Sequence, residues 1–78
     1  MFLQGEILKS KVRSDNYPKF VMVLFDRNPS QTQFNAVVIF CKSSSDELSD
    51  DEEAGYIANN WNTSMWERSN WGEVKQWI

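Results

Sequence analysis

Residues 49–61, SDDEEAGYIANNW, can be read as a helix or as a strand, and the choice decides the fold. The helix reading has real support. Ser49 and Glu52 have the form of a capping box, the acidic residues before Ala54 suit the positive end of a helix dipole, and Ala54, Ile57, Ala58 and Trp61 recur at i, i+3, i+4 and i+7. Against it stand Gly55 early in the segment, the helix-poor pair Asn59-Asn60, and the aromatic and β-branched character of Gly55-Tyr56-Ile57. The balance favours a strand from Gly55 to Trp61. As a strand it extends an all-β domain; as a helix it would turn the chain into an α+β fold, a three-stranded meander plus a C-terminal helix.

Upstream the evidence for strands is plain. Lys19 to Asp26, KFVMVLFD, and Phe34 to Lys42, FNAVVIFCK, are nearly continuous apolar runs rich in β-branched and aromatic residues. Apolar residues on both faces mark central strands with neither face fully wet. The polar, proline-containing RNPSQTQ between them predicts a hairpin loop, and neither strand is expected at an edge. Phe2 to Val12 is a further strand, in which Gly5 breaks the alternation as a bulge or bend would. Ser14 to Pro18 reads as a turn.

Downstream lie all four tryptophans, Trp61, Trp66, Trp71 and Trp77. Steps of five and six move successive tryptophans off any common helix face, and a step of five reverses the face of a strand. They must therefore be divided by turns, or between core and surface. Asn62, Thr63 and Ser64 are suited to cap a short helical turn, and Ser69-Asn70-Trp71-Gly72 to form a turn in which Gly72 is free to take positive φ. Glu73 to Ile78 then alternates as a closing strand, with either Val74 and Ile78 or Trp77 inward. Trp61 is the best core candidate and Trp71 the best surface candidate.

The order FNAVVIF, a polar loop, Gly55, the pair Trp61-Asn62, an aromatic at Trp66 and a strand from Glu73 resembles a phrase found in small β-barrel proteins of phages and mobile elements. It spans residues 34–78. The later aromatic is more often Phe in that phrase, so Trp66 departs from it. The resemblance implies a small barrel and a mobile-element setting, and it assigns no catalytic or binding residue. With it, the expected fold is a small antiparallel, SH3-like barrel of about five strands with a short helical turn before the last.

At 78 residues the chain is one domain, and a domain of this size buries only about 60% of its unfolded surface. Large aromatics help offset that, since each can bury roughly 150–250 Å². No run approaches the roughly 18 apolar residues of a membrane span, and MFLQGEILKSK lacks the order of a signal peptide, so a cytoplasmic protein is expected.

Several reaction classes fall away on composition. The chain has no histidine and a single cysteine, Cys41, which sits in an apolar run. A Ser-His-Asp centre is excluded, Cys41 lacks a customary base, and a zinc site would need carboxylates or a second chain. Three scattered glycines form no phosphate loop, and no cofactor is implied. Carboxylates abound, but in a polar tract with no apolar pocket to raise a pKa. An enzyme is not expected.

Charge is divided along the chain. Residues 1–42 carry six basic and three acidic side chains, whereas residues 43–78 carry two basic and eight acidic. The tract at about 43–53, SSSDELSDDEE, reads as a mobile acidic loop, without the spacing of an EF-hand. Its Asp50, Asp51, Glu52 and Glu53 could instead form an acidic face that imitates DNA phosphates. Nucleic acid is disfavoured as a partner because the tryptophan-bearing half is acidic; the best variant would use Lys9, Lys11, Arg13 and Lys19.

The expectation for function is a non-enzymatic protein-binding or adaptor module. Its candidate contacts are Trp66, Arg68, Trp71 and Trp77, since exposed aromatics beside a cation are strong interface anchors. A nucleotide-binding or sequestering protein and an acidic DNA mimic are the alternatives. Unpaired sheet edges also permit a homodimer.

Overall fold

The computed structural model describes residues 1–11, 19–41 and 54–77. Its elements are β1 (Ile7–Ser10), β2 (Lys19–Val23), β3 (Gln33–Cys41), β4 (Ile57–Asn62), a 3-10 turn (Thr63–Met65), β5 (Trp66–Arg68) and α1 (Trp71–Lys75). The five strands form one antiparallel sheet in the order β4-β3-β2-β1-β5. The all-β expectation holds. Residues 57–62 are strand, and β2 and β3 are interior. The acidic tract, with Asp50, Asp51, Glu52 and Glu53, lies outside the described residues.

That order forces the sheet to curl. Strands β4 and β5 stand at opposite ends of the ladder, which in a flat sheet would separate them by about 19 Å at the usual strand spacing. The three residues that join them reach only about 6 Å as a 3-10 turn. The sheet therefore bends into a small SH3-like barrel, and the turn itself bridges the seam. The Thr63 N–H donates to the Thr32 carbonyl at 2.9 Å on the β3 side, and the Lys11 N–H donates to the Met65 carbonyl at 2.9 Å on the β1 side. Asn62 caps the turn as its sequence predicts, its side-chain oxygen accepting the Ser64 N–H at 3.0 Å.

Inside the curl lie Leu8, Val21, Val23, Phe34, Ala36, Val38 and Trp66, with Phe2, Cys41 and Trp61 packed against them. Trp61 and Trp66 both face inward, their rings 5.0 Å apart, although five residues separate them. The intervening 3-10 turn resets the phase that a continuous strand would have kept. Phe34 stands edge-on to Trp66 at 6.3 Å, a favoured aromatic geometry.

Two bulges adjust the faces. Phe20 pairs with Phe40 but Val21 pairs with Val38, so Ile39 is an extra residue. Ile39 and Phe40 can then both pack on the outer side, while Cys41 returns to the interior. In β4 the pairings Phe34 with Trp61 and Ala36 with Ala58 leave Asn59 and Asn60 opposite a single residue. Asn60 has φ +66°, the left-handed conformation that asparagine tolerates better than most side chains.

The outer face carries a second apolar cluster, Ile7, Phe20 and Val74, joined by Met22, Ile39, Phe40 and Trp77. Its cover is α1, where a closing strand at Glu73 to Ile78 was expected. The closing strand is instead β5. Two features decide for the helix over the period-two pattern of EVKQWI. Asn70 caps it by accepting the Glu73 N–H at 2.8 Å, and the turn that follows the helix, in which the Trp77 N–H donates to the Val74 carbonyl at 3.0 Å, brings Trp77 to the same outer cluster as Val74. Gly72 sits in the first turn of α1 and does not take positive φ. Lys9 ties the helix down, its ammonium 2.5 Å from Glu73 and 3.4 Å from Glu67.

Among the tryptophans, Trp66 is 7% exposed and Trp71 is 52% exposed. Trp66→Ala should therefore cost about 3–5 kcal/mol of unfolding free energy. Trp71→Ala should change it by no more than about 0.5 kcal/mol. Urea titrations of both variants check this, and similar midpoint shifts would contradict the placement.

Candidate functional site

The residues proposed from sequence as binding contacts do not form one platform. Trp66 is core and presents no face to a partner, because the 3-10 turn aims it into the barrel. Trp77 is half-buried against the outer cluster. Trp71 is exposed at the start of α1. Arg68 lies on β5 with its side chain 61% exposed, and its contacts run toward the N-terminal arm, residues Met1 to Glu6.

That arm forms one wall of a cleft of about 210 Å³. It leaves β1 through a turn at Gln4–Gly5, where Gly5 has φ +88°, a conformation costly for any residue with a Cβ. The turn lets the arm run beside β2: the Gly5 N–H donates to the Val23 carbonyl at 2.8 Å, and the Val23 N–H to the Glu6 carbonyl at 3.0 Å. The other walls are the chain from Val23 to Asp26, the loop at Pro29 and Ser30, and the start of β3 from Gln33 to Asn35. Side-chain oxygens shape the loop. Asp26 accepts the Asn28 N–H at 2.9 Å and Ser30 accepts the Thr32 N–H at 3.1 Å.

The cleft is apolar inside and at its rim. Phe2, Val23 and Phe34 line it, with Phe2 edge-on to Phe34 at 5.4 Å. Leu3 at 64% and Phe25 at 68% exposure stand at its lip with Met1. Among its described lining residues the only charged side chain is Asp26. The sequence carries one signal for this site that a strand-by-strand reading passes over. The apolar run of β2 continues through Leu24 and Phe25, beyond the end of the strand and into a proline-containing loop.

Arg68 holds the arm from behind. Its Nε donates to Glu6 Oε1 at 2.7 Å, its Nη2 to the Met1 carbonyl at 3.2 Å, and its guanidinium carbon lies 5.1 Å from the centre of the Phe2 ring. Glu6 completes a local turn by accepting the Leu3 N–H on Oε2 at 2.6 Å, while its own N–H donates to the Leu3 carbonyl at 3.1 Å. Burial pushes the Glu6 carboxyl up, but the Leu3 N–H and the Arg68 guanidinium outweigh it and hold the pKa below the ordinary value.

Lys9 is engaged by Glu73 and Glu67; the hydrogen bond to Glu73 raises its pKa against an opposing contribution from burial. Arg13 lies outside the described residues. Among the described residues no group of three or more His, Cys, Asp or Glu could hold a metal ion, and no helix is long and apolar enough to cross a membrane. Comparison with known proteins finds no match to a protein-family model, a curated protein or a solved structure.

Because the folded-state pKa of Glu6 is lowered, its stabilisation of the arm is complete above the ordinary value of 4.5 and is lost as pH falls through the depressed one. Acid titration followed by NMR should show the Leu3 and Gly5 amides losing protection below that value while core amides keep theirs. Glu6→Gln should flatten this response. Arm and core amides titrating together in the wild type would refute it.

Proposed function

We propose that this chain is a non-enzymatic protein-binding module, with the cleft between the N-terminal arm and the β2–β3 loop as its anchor site and Trp71 as a second exposed contact. The observation that carries the reading is an open apolar cleft of about 210 Å³ with Leu3 and Phe25 more than 60% exposed at its lip. Pockets for small molecules and cofactors usually enclose about 300–1,000 Å³ and add convergent polar groups. This one is smaller, and it has the volume for one large apolar side chain of a partner, the kind of anchor that dominates protein interfaces.

A nucleotide-sequestering role is the weaker reading, because the cleft is smaller than such pockets and its lining is mostly apolar. The likeness of the Gly55, Trp61-Asn62 phrase to small phage and mobile-element proteins supports searching for the partner among host proteins.

Selection from a displayed peptide library tests this. Enriched peptides should share an aromatic or long aliphatic anchor residue. Leu3→Ala and Phe25→Ala should each weaken their binding by about 2 kcal/mol, the scale of an interface hot spot, with little change in melting temperature. Peptides that bind both variants as well as wild type, or a thermal shift with nucleotides in place of peptide binding, would overturn the proposal.

A further inference from the structure

We infer that Arg68 is a positioning residue for the cleft: without lining it, Arg68 pins the arm Met1–Glu6 where Phe2 and Leu3 complete one wall. The consequence for binding rests on the cleft being the partner site, as argued above.

One guanidinium engages three separate parts of the arm. It meets the Glu6 carboxylate at 2.7 Å, the Met1 carbonyl at 3.2 Å and the face of Phe2 at 5.1 Å. Planar, multiply donating arginine can satisfy all three at once; the compact ammonium of lysine cannot. The ends of the arm are tied to elements far apart in sequence, since Glu6 precedes β1 and Arg68 ends β5. The other contacts described for the arm, the Gly5–Val23 and Val23–Glu6 backbone bonds, the local Leu3–Glu6 turn and the edge contact of Phe2 with Phe34, would then have to hold it unaided and would open more often.

Arg68 is itself mostly exposed and does not belong to either apolar cluster, so truncating it opens no core cavity. Its loss should act on the arm alone. An arm that spends less time in its pinned place presents a complete cleft for a smaller fraction of the time, and apparent affinity falls by that same fraction. Specificity for the anchor would then be set partly on β5, remote in sequence from every residue the anchor touches.

The test uses the full chain labelled for NMR, with N-acetyltryptophanamide as the probe for the cleft. In wild type the probe should shift the resonances of Leu3, Phe25 and Phe34. In Arg68→Ala, the Gly5 amide should lose most of its protection, as expected of an arm out of place for at least about half of the time, probe affinity should fall by the competent fraction lost, about twofold or more, and the Val21 and Val38 amides should be unaffected. Arg68→Lys should recover part of both effects, because it restores the charge opposite Glu6 but not the fork or the flat contact on Phe2. Unchanged Gly5 exchange in Arg68→Ala would overturn the pin. Loss of most of the Gly5 protection with unchanged probe affinity would overturn its coupling to the cleft. A wild type in which the probe shifts nothing at the cleft would remove the binding site and the coupling with it, and the exchange data would still decide the pin.

Discussion

The three-residue link between β4 and β5 is the constraint on which the rest of the molecule depends. It joins strands that stand at opposite ends of a five-stranded order, so the sheet has to close on itself. Closure creates an inside, and the inside is filled by an aromatic group, Phe34, Trp61 and Trp66, that no flat sheet of this size would have enclosed. It also leaves an outside with its own apolar residues. Those are met by α1, a helix of five residues that has too little internal stability to stand alone and is held by Val74, Trp77 and the Lys9–Glu73 contact.

Closure also explains how the site arises. The link delivers the chain to β5, which pairs beside β1, and Arg68 there meets the arm that precedes β1. The arm is turned back by Gly5 along β2, and the β2–β3 loop rises opposite it. No single segment makes the cleft. It is the product of three stretches that are separate in sequence, and its back wall is fixed by a fourth.

Where local chemistry and global packing agree, the sequence is a good guide. The unbroken apolar runs at 19–26 and 34–42 need two covered faces, and the barrel interior and the outer cluster supply them. Asn62 behaves as a cap, and Trp71 is exposed beside polar neighbours. The guide fails where a short irregular element changes phase. Trp66 enters the core because three residues of 3-10 turn precede it, and EVKQWI alternates like a strand, yet its described part, Glu73 to Trp77, coils because Asn70 caps α1 and the outer face needs Val74 and Trp77 together. The cleft was legible only as an apolar run that outlasts its strand, since convergence of distant segments leaves no periodic trace. Arg68 was visible as a cation near tryptophans; that it works through Glu6 and Phe2 depends on the long-range pairing of β5 with β1.

The bulge at Asn59-Asn60 bears on what β4 offers at the end of the ladder. Strand β4 is one end of the ladder, and an uninterrupted end strand offers a neighbour a full row of backbone donors and acceptors. Here the left-handed Asn60 breaks that row in the middle, with Ile57 and Ala58 on one side and Trp61 and Asn62 on the other. A straight strand laid alongside would match the first pair of residues and fall out of step with the second. The kink that fits Trp61 to the core therefore also spoils β4 as a template on which further chains could stack.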